Sequence, residues 1–236
     1  KGEEAVSLSD HPHSTGRALK TLSLSYFSEA RFATARQTVD ACLALIEEKN
    51  LRLVEPEVLG PALRIRWYAD PGDHGLLDAN AFVSRADETG VRQARLHTRS
   101  VRLEIAWELG DRDAFARDLA HLKAELLPQH RLTWATVVIF DALQQLRDGR
   151  APDLEQWGAG LPSAHPPAFL PLNWLLARLS SRPDLPADIT PTPHEDLWLA
   201  RLQGHLADTG GLGLDGPEES DAWRQFAEAH PVPPLP

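Results

Sequence analysis

The chain is short of the residues that mark several protein classes. It has one cysteine, Cys42, and no methionine among 236 residues. A lone cysteine excludes an intrachain disulfide and any cysteine-based metal site. It has only two tyrosines. No apolar run approaches the roughly 18 residues that a membrane-spanning helix needs, and no signal peptide is visible. Positive charge is also scarce: Lys+Arg number 24 against 34 Asp+Glu, a net charge of −10. So acidic a chain is poorly suited to duplex DNA, where neutralisation of phosphates supplies most of the non-specific affinity. Hydrophobic residues make up 42%, enough for a globular core. The chain opens at Lys1. With no methionine, it reads as a piece of a longer, cytoplasmic protein whose neighbouring domain carries an effector function.

What is present is helical periodicity. Residues 1–16 are polar and without period, and read as a flexible arm. From Arg17, apolar residues recur at spacings of three and four: Ala18, Leu19, Leu22, Tyr26 and Ala30. Further helices are expected at about 33–49, 57–69, 75–89, a hairpin over 91–127, and 131–148, with Gly90, Gly110 and Gly149 as stops. Asp111 suits the N-cap of the hairpin's second helix. Beyond Pro152 the pattern is less regular. It includes a short helical turn at 151–161, a helix over 167–181, and "TPHEDL", a capping box at Thr192 and Glu195 that opens a helix to about 208. A last short helix follows a Gly-rich loop. No alternating strand pattern appears, so the fold class is all-α.

Helix pairs start near residues 17, 57, 91 and 130, at intervals of roughly 34–40 residues, the size of a stacked helical hairpin. The first pair, "LKTLSLSYFSEARFATARQTVDACL", resembles a tetratricopeptide repeat. Leu22, Ser23, Tyr26, Phe32, Ala35, Val39 and Cys42 stand where that family places its leucine, small, aromatic and alanine positions. Leu19 stands for the family's tryptophan and Ala30 for its glycine, and the terminal proline is missing. A looser match lies at Leu103, Trp107, Gly110 and Ala116. The resemblance spans about 17–150 and is carried by the first thirty residues. It implies a right-handed array of helical hairpins over 17–150, with 151–236 as an irregular helical part. The degenerate repeats are also similar to the helical regulatory domains of large bacterial transcription activators. That likeness implies a non-enzymatic, ligand-sensing or protein-binding role.

The candidate site lies on the hairpin's first helix. Arg92, Arg95, Arg99 and Arg102 are three, four and three residues apart. At about 100° per residue they form one stripe. Arg17 and Lys20, then Arg64 and Arg66, make the other first helices basic, while Asp40, Glu47, Glu48, Asp78, Asp87 and Glu88 make the second helices acidic. In tetratricopeptide arrays the first helices line the concave face. The expectation is therefore a basic groove holding an anionic protein or peptide partner, with Arg64, Arg92, Arg95, Arg99 and Arg102 as binding residues and no cofactor or metal. A plain solvated face balanced by Glu88, Glu104 and Glu108 is the alternative. A nucleic-acid-binding solenoid on the same arginines and an α-helical enzyme are rival functions.

Other patterns carry less. "GLGLDG" (Gly211, Gly213, Gly216) lacks the preceding strand that a dinucleotide fingerprint needs. Asp70, Asp73 and His74 in "DPGDHG" read as a turn, and "HED" at 194–196 lacks the second histidine of a zinc protease. Cys42 falls on a core face, and the tryptophans read as groove fillers. Among the histidines, His97 stands out beside the arginines.

Overall fold

The computed structural model describes residues 11–72, 74–125 and 131–150, with two isolated positions, 152 and 193. All regular structure among them is helical: α1 (Pro12–Ser28), α2 (Phe32–Lys49), α3 (Glu55–Ala69), α4 (Gly75–Glu88), α5 (Arg92–Glu108), α6 (Arg112–Glu125) and α7 (Arg131–Arg147). The chain divides into two compact units, Lys1–Leu126 and Leu127–Pro236. α7 thus goes with the second unit, not with the hairpins before it. Within α7, Thr133 to Leu143 are buried and Gln145 donates a 3.1 Å hydrogen bond to Asp141. The turn, helices and loop expected over 151–236, the capping box at Thr192 included, lie outside the described residues, as does the arm up to residue 10.

The helix boundaries follow local chemistry. α1 starts at Pro12, five residues before the periodicity does. His11 caps it by accepting the amide of His13 at 3.3 Å. Proline in the first turn loses no hydrogen bond it would otherwise make. Four helices then stop in the same way. A residue in the left-handed region follows α1 (Ala30, φ 55°), α2 (Asn50, φ 51°), α5 (Gly110, φ 71°) and α7 (Gly149, φ 71°). The next amide in each case reaches back five residues to a carbonyl: Arg31 to Tyr26, Leu51 to Ile46, Asp111 to Ala106 and Arg150 to Gln145, all at 2.9 Å. This closes the orphan carbonyls at the helix end. Asp111 caps α6 as expected, accepting from the Ala114 amide at 2.9 Å.

In the first unit each helix packs on the next, and α3 also packs on α5 and on α1. Directions can be read from paired residues. Arg66 of α3 reaches Asp40 of α2 and Arg36 of α2 reaches Asp70, so α2 and α3 are antiparallel. Gly60 of α3 meets His97 of α5, and Tyr68 meets Glu104, so α3 and α5 run parallel.

The core is filled by residues the period selected. Ala35, Val39, Cys42 and Ile46 of α2 are buried, as are Trp67 and Trp107. Phe27, Phe32 and Tyr68 form an aromatic cluster across three helices, with ring centroids 5.2–5.6 Å apart. Trp107 meets Phe115 at 5.2 Å. Cys42 is a packing residue as expected: its thiol donates to the Gly16 carbonyl at 3.2 Å, and burial pushes its pKa up to about 11. Gly60 permits a close approach. A Cβ there would lie 2.5 Å from Cγ and Nδ1 of His97.

Two substitutions test this packing by urea denaturation. Gly60→Ala should destabilise by about 1–3 kcal/mol through overpacking, despite alanine's better helix propensity. Ala30→Gly should stabilise by about 1 kcal/mol, because it relieves a left-handed alanine. An unchanged midpoint in either would contradict the assigned backbone.

Candidate functional site

α5 is held between α4 and α6, and its arginines point to both. Gly90 breaks the chain after α4, and Thr89 Oγ accepts the Val91 amide at 3.2 Å, which sets the entry to α5. Arg99 grips Asp87 of α4 with two 2.8 Å bonds. Arg102 forks onto Asp118 of α6 at 2.6 and 2.5 Å and donates to Asn80 of α4 at 2.8 Å. Arg95 lies 3.7 Å from the Glu125 carboxylate, and Arg92 donates to the Glu125 main-chain carbonyl.

Arg64 is elsewhere. It reaches Glu104 at 3.3 Å, and Glu104 and His97 lie on the side of α5 opposite the stripe, given about 100° of rotation per residue. Of the five candidate arginines, then, four share one face of α5, between α4 and α6, and the fifth, on α3, meets the opposite face of α5. They do not line one groove. The expected counter-charges differ as well. Asp87, Asp118 and Glu125 balance the stripe. Glu104 instead pairs with Arg64, while Tyr68 donates to its other oxygen at 2.9 Å.

The pairs differ in depth. The Asp118 side chain is 1% exposed and Arg102 11%, whereas Asp87 is 43% exposed. A buried fork resists water and salt; an exposed one is screened and weaker. Hydrogen bonds from Arg99 hold the Asp87 carboxyl below its usual range, against a smaller opposing effect of burial. His97 is neutral at pH 7. Burial pushes its pKa down to about 3, and the Arg64 guanidinium adds to the shift. At α1, burial opposes ionisation of Glu57, but bonds from Lys20 (3.0 Å) and Arg17 (3.1 Å) outweigh it and lower the pKa.

Asp118 is the residue the sequence pattern passed over. It looks like one more surface charge on "DAFARDLAHL", yet it lies three residues after Phe115 and four before Leu122, on the buried face of α6. A carboxylate on a core stripe opposite an arginine helix was the available signal. No group of three or more His, Cys, Asp or Glu is placed to hold a metal among the described residues, and His74 meets Asp70 only at 3.9 Å. No described helix is long and apolar enough to cross a membrane. Compared with known proteins, the chain matches no family, no curated protein and no solved structure.

Asp118→Leu should cost about 3–5 kcal/mol by stranding Arg102, and adding Arg102→Met should recover more than half of the loss. Additive costs in a double-mutant cycle would show that the pair is not coupled. For His97 the folded pKa lies below the unfolded value of about 6.5, so the native state binds fewer protons. Stability is full above pH 6.5 and falls as pH drops towards 3, by up to about 1.4 kcal/mol per unit. His97 as a residue is half-buried, so a shallower slope is expected. Denaturation midpoints between pH 6.5 and 5 should fall in the wild type and stay flatter in His97→Gln.

Proposed function

We propose that the chain is a tetratricopeptide-like interaction domain that takes an anionic segment of a protein partner on the N-terminal half of α5. Stacked helical hairpins suit this role because they present long faces with little rearrangement. Support for the array comes from the alternating helix directions and from the packing of α1 on α3 and α3 on α5. The setting the sequence suggests, a regulatory domain of a bacterial transcription factor, is part of the proposal.

One observation carries the choice of face. Among the described residues, Arg92 and Arg95 share one partner, Glu125, whose carboxylate His121 also approaches at 3.2 Å. The Arg99 and Arg102 end of the stripe is matched one to one by Asp87 and Asp118. The Arg92 end has more donors than acceptors. The first turn of α5 contains no acidic residue and Val91 gives no side-chain cap, so the positive end of the helix dipole adds to the attraction. Arg64 has no part in this face.

The test is fluorescence anisotropy with a labelled acidic peptide. Binding should be saturable and fall with salt, and Arg92→Gln/Arg95→Gln should weaken it about tenfold while circular dichroism stays unchanged. Equal affinity in the variant would remove the site from α5. A labelled single-stranded oligonucleotide that bound more tightly, with a steeper salt dependence, would move the domain to the nucleic-acid class.

A further inference from the structure

A second site lies away from the arginine stripe. The last turns of α2 and α4 and the start of α3 enclose a half-open cleft of about 450 Å³. That is within the size range of small-ligand pockets. Its floor is apolar: Ile46 and Leu51 line it and are 2% and 3% exposed.

The charges around the floor are unequal. Glu55 is taken up by Arg85 in an ion pair, which also meets the positive end of α3. Two further lining carboxylates, Glu47 and Glu88, are exposed and meet no cation among the described residues. The only other lining cation, Arg52, is directed at the Asn50 side-chain oxygen at 3.2 Å. Two helices also end here, and each C-terminus carries roughly half a negative charge. The carboxylates of Glu47 and Glu88 and the two helix C-termini outweigh Arg52 and the positive end of α3, so the rim is net negative over an apolar floor.

We infer that this cleft binds an aliphatic cation, an ammonium or guanidinium group on a methylene stem. The stem would lie on Ile46 and Leu51 with the charged end between Glu47 and Glu88, as such side chains lie wherever an apolar surface adjoins an acidic rim. Arginine and lysine side chains of a partner carry this chemistry, and so do free polyamines. The site is independent of the anionic partner proposed for α5.

The experiment is a titration of the intact chain followed by amide NMR, with cadaverine and acetyl-Gly-Arg-Gly-amide as probes and ammonium chloride as the stemless control. Saturable shifts should centre on Asn50 and Thr89, and ammonium chloride should not reproduce them. Glu47→Gln/Glu88→Gln should weaken binding at least about fivefold, and Glu48→Gln/Asp113→Asn, the same charge change outside the cleft lining, should leave it within about twofold. A preference for cadaverine would assign the site to small polyamines; a preference for the peptide would assign it to a basic segment. The inference is overturned if neither probe saturates. It is equally overturned if Glu48→Gln/Asp113→Asn weakens binding as much as Glu47→Gln/Glu88→Gln, which would mean net charge alone attracts the probes.

Discussion

The Arg102–Asp118 fork is the interaction on which the described hairpins most depend. It sits almost out of water between α5 and α6, and Asn80 ties the same guanidinium to α4. One side chain thus fixes three helices. Apolar packing alone would allow α6 to slide or rotate on α5 at small cost, since close-packed hydrophobic faces tolerate alternatives of similar volume. A buried carboxylate does not: any register other than the observed one leaves a charge in the core without a partner. The fork adds little net free energy and much uniqueness.

The charge pattern of the whole unit has the same logic. α1 and α5 are net basic and α2 and α4 net acidic, and where helices meet the opposite charges close on each other: Arg66 with Asp40, Arg99 with Asp87, Arg102 with Asp118. Much of the segregation visible in the sequence is thereby used internally. The mismatches among the described residues lie at the edges, where Arg92 and Arg95 exceed their acceptors on one side and Glu47 and Glu88 exceed theirs on another.

The all-helical class and most helix boundaries of the described residues are legible in the sequence. Helix starts and ends fall within a few residues of the positions marked by Gly90, Gly110, Gly149 and Asp111, because those residues act through local backbone chemistry. The start of α1 was missed because histidine is an uncommon cap and Gly16 weakens the helical signal. The stripe of arginines was legible too, since spacing fixes which residues share a face. What faces that stripe was not. Pairing across helices depends on the rotation of α4 and α6 about their own axes, and no local pattern encodes it. Hence Arg64, basic and on a first helix like the others, was grouped with residues that lie on the far side of α5.

The contact order of the unit has a kinetic consequence. Among the described residues of this unit the principal packing joins each helix to the next or to the next but one, so the main helix contacts close short stretches of chain. Short loops cost little entropy to close, and chains built this way belong to the fast end of single-domain folding. No distant strand or terminus has to be found before the first hairpin becomes stable. The N-terminal hairpins could therefore form while the rest of the chain is still being synthesised, each offering a finished surface to the one behind it.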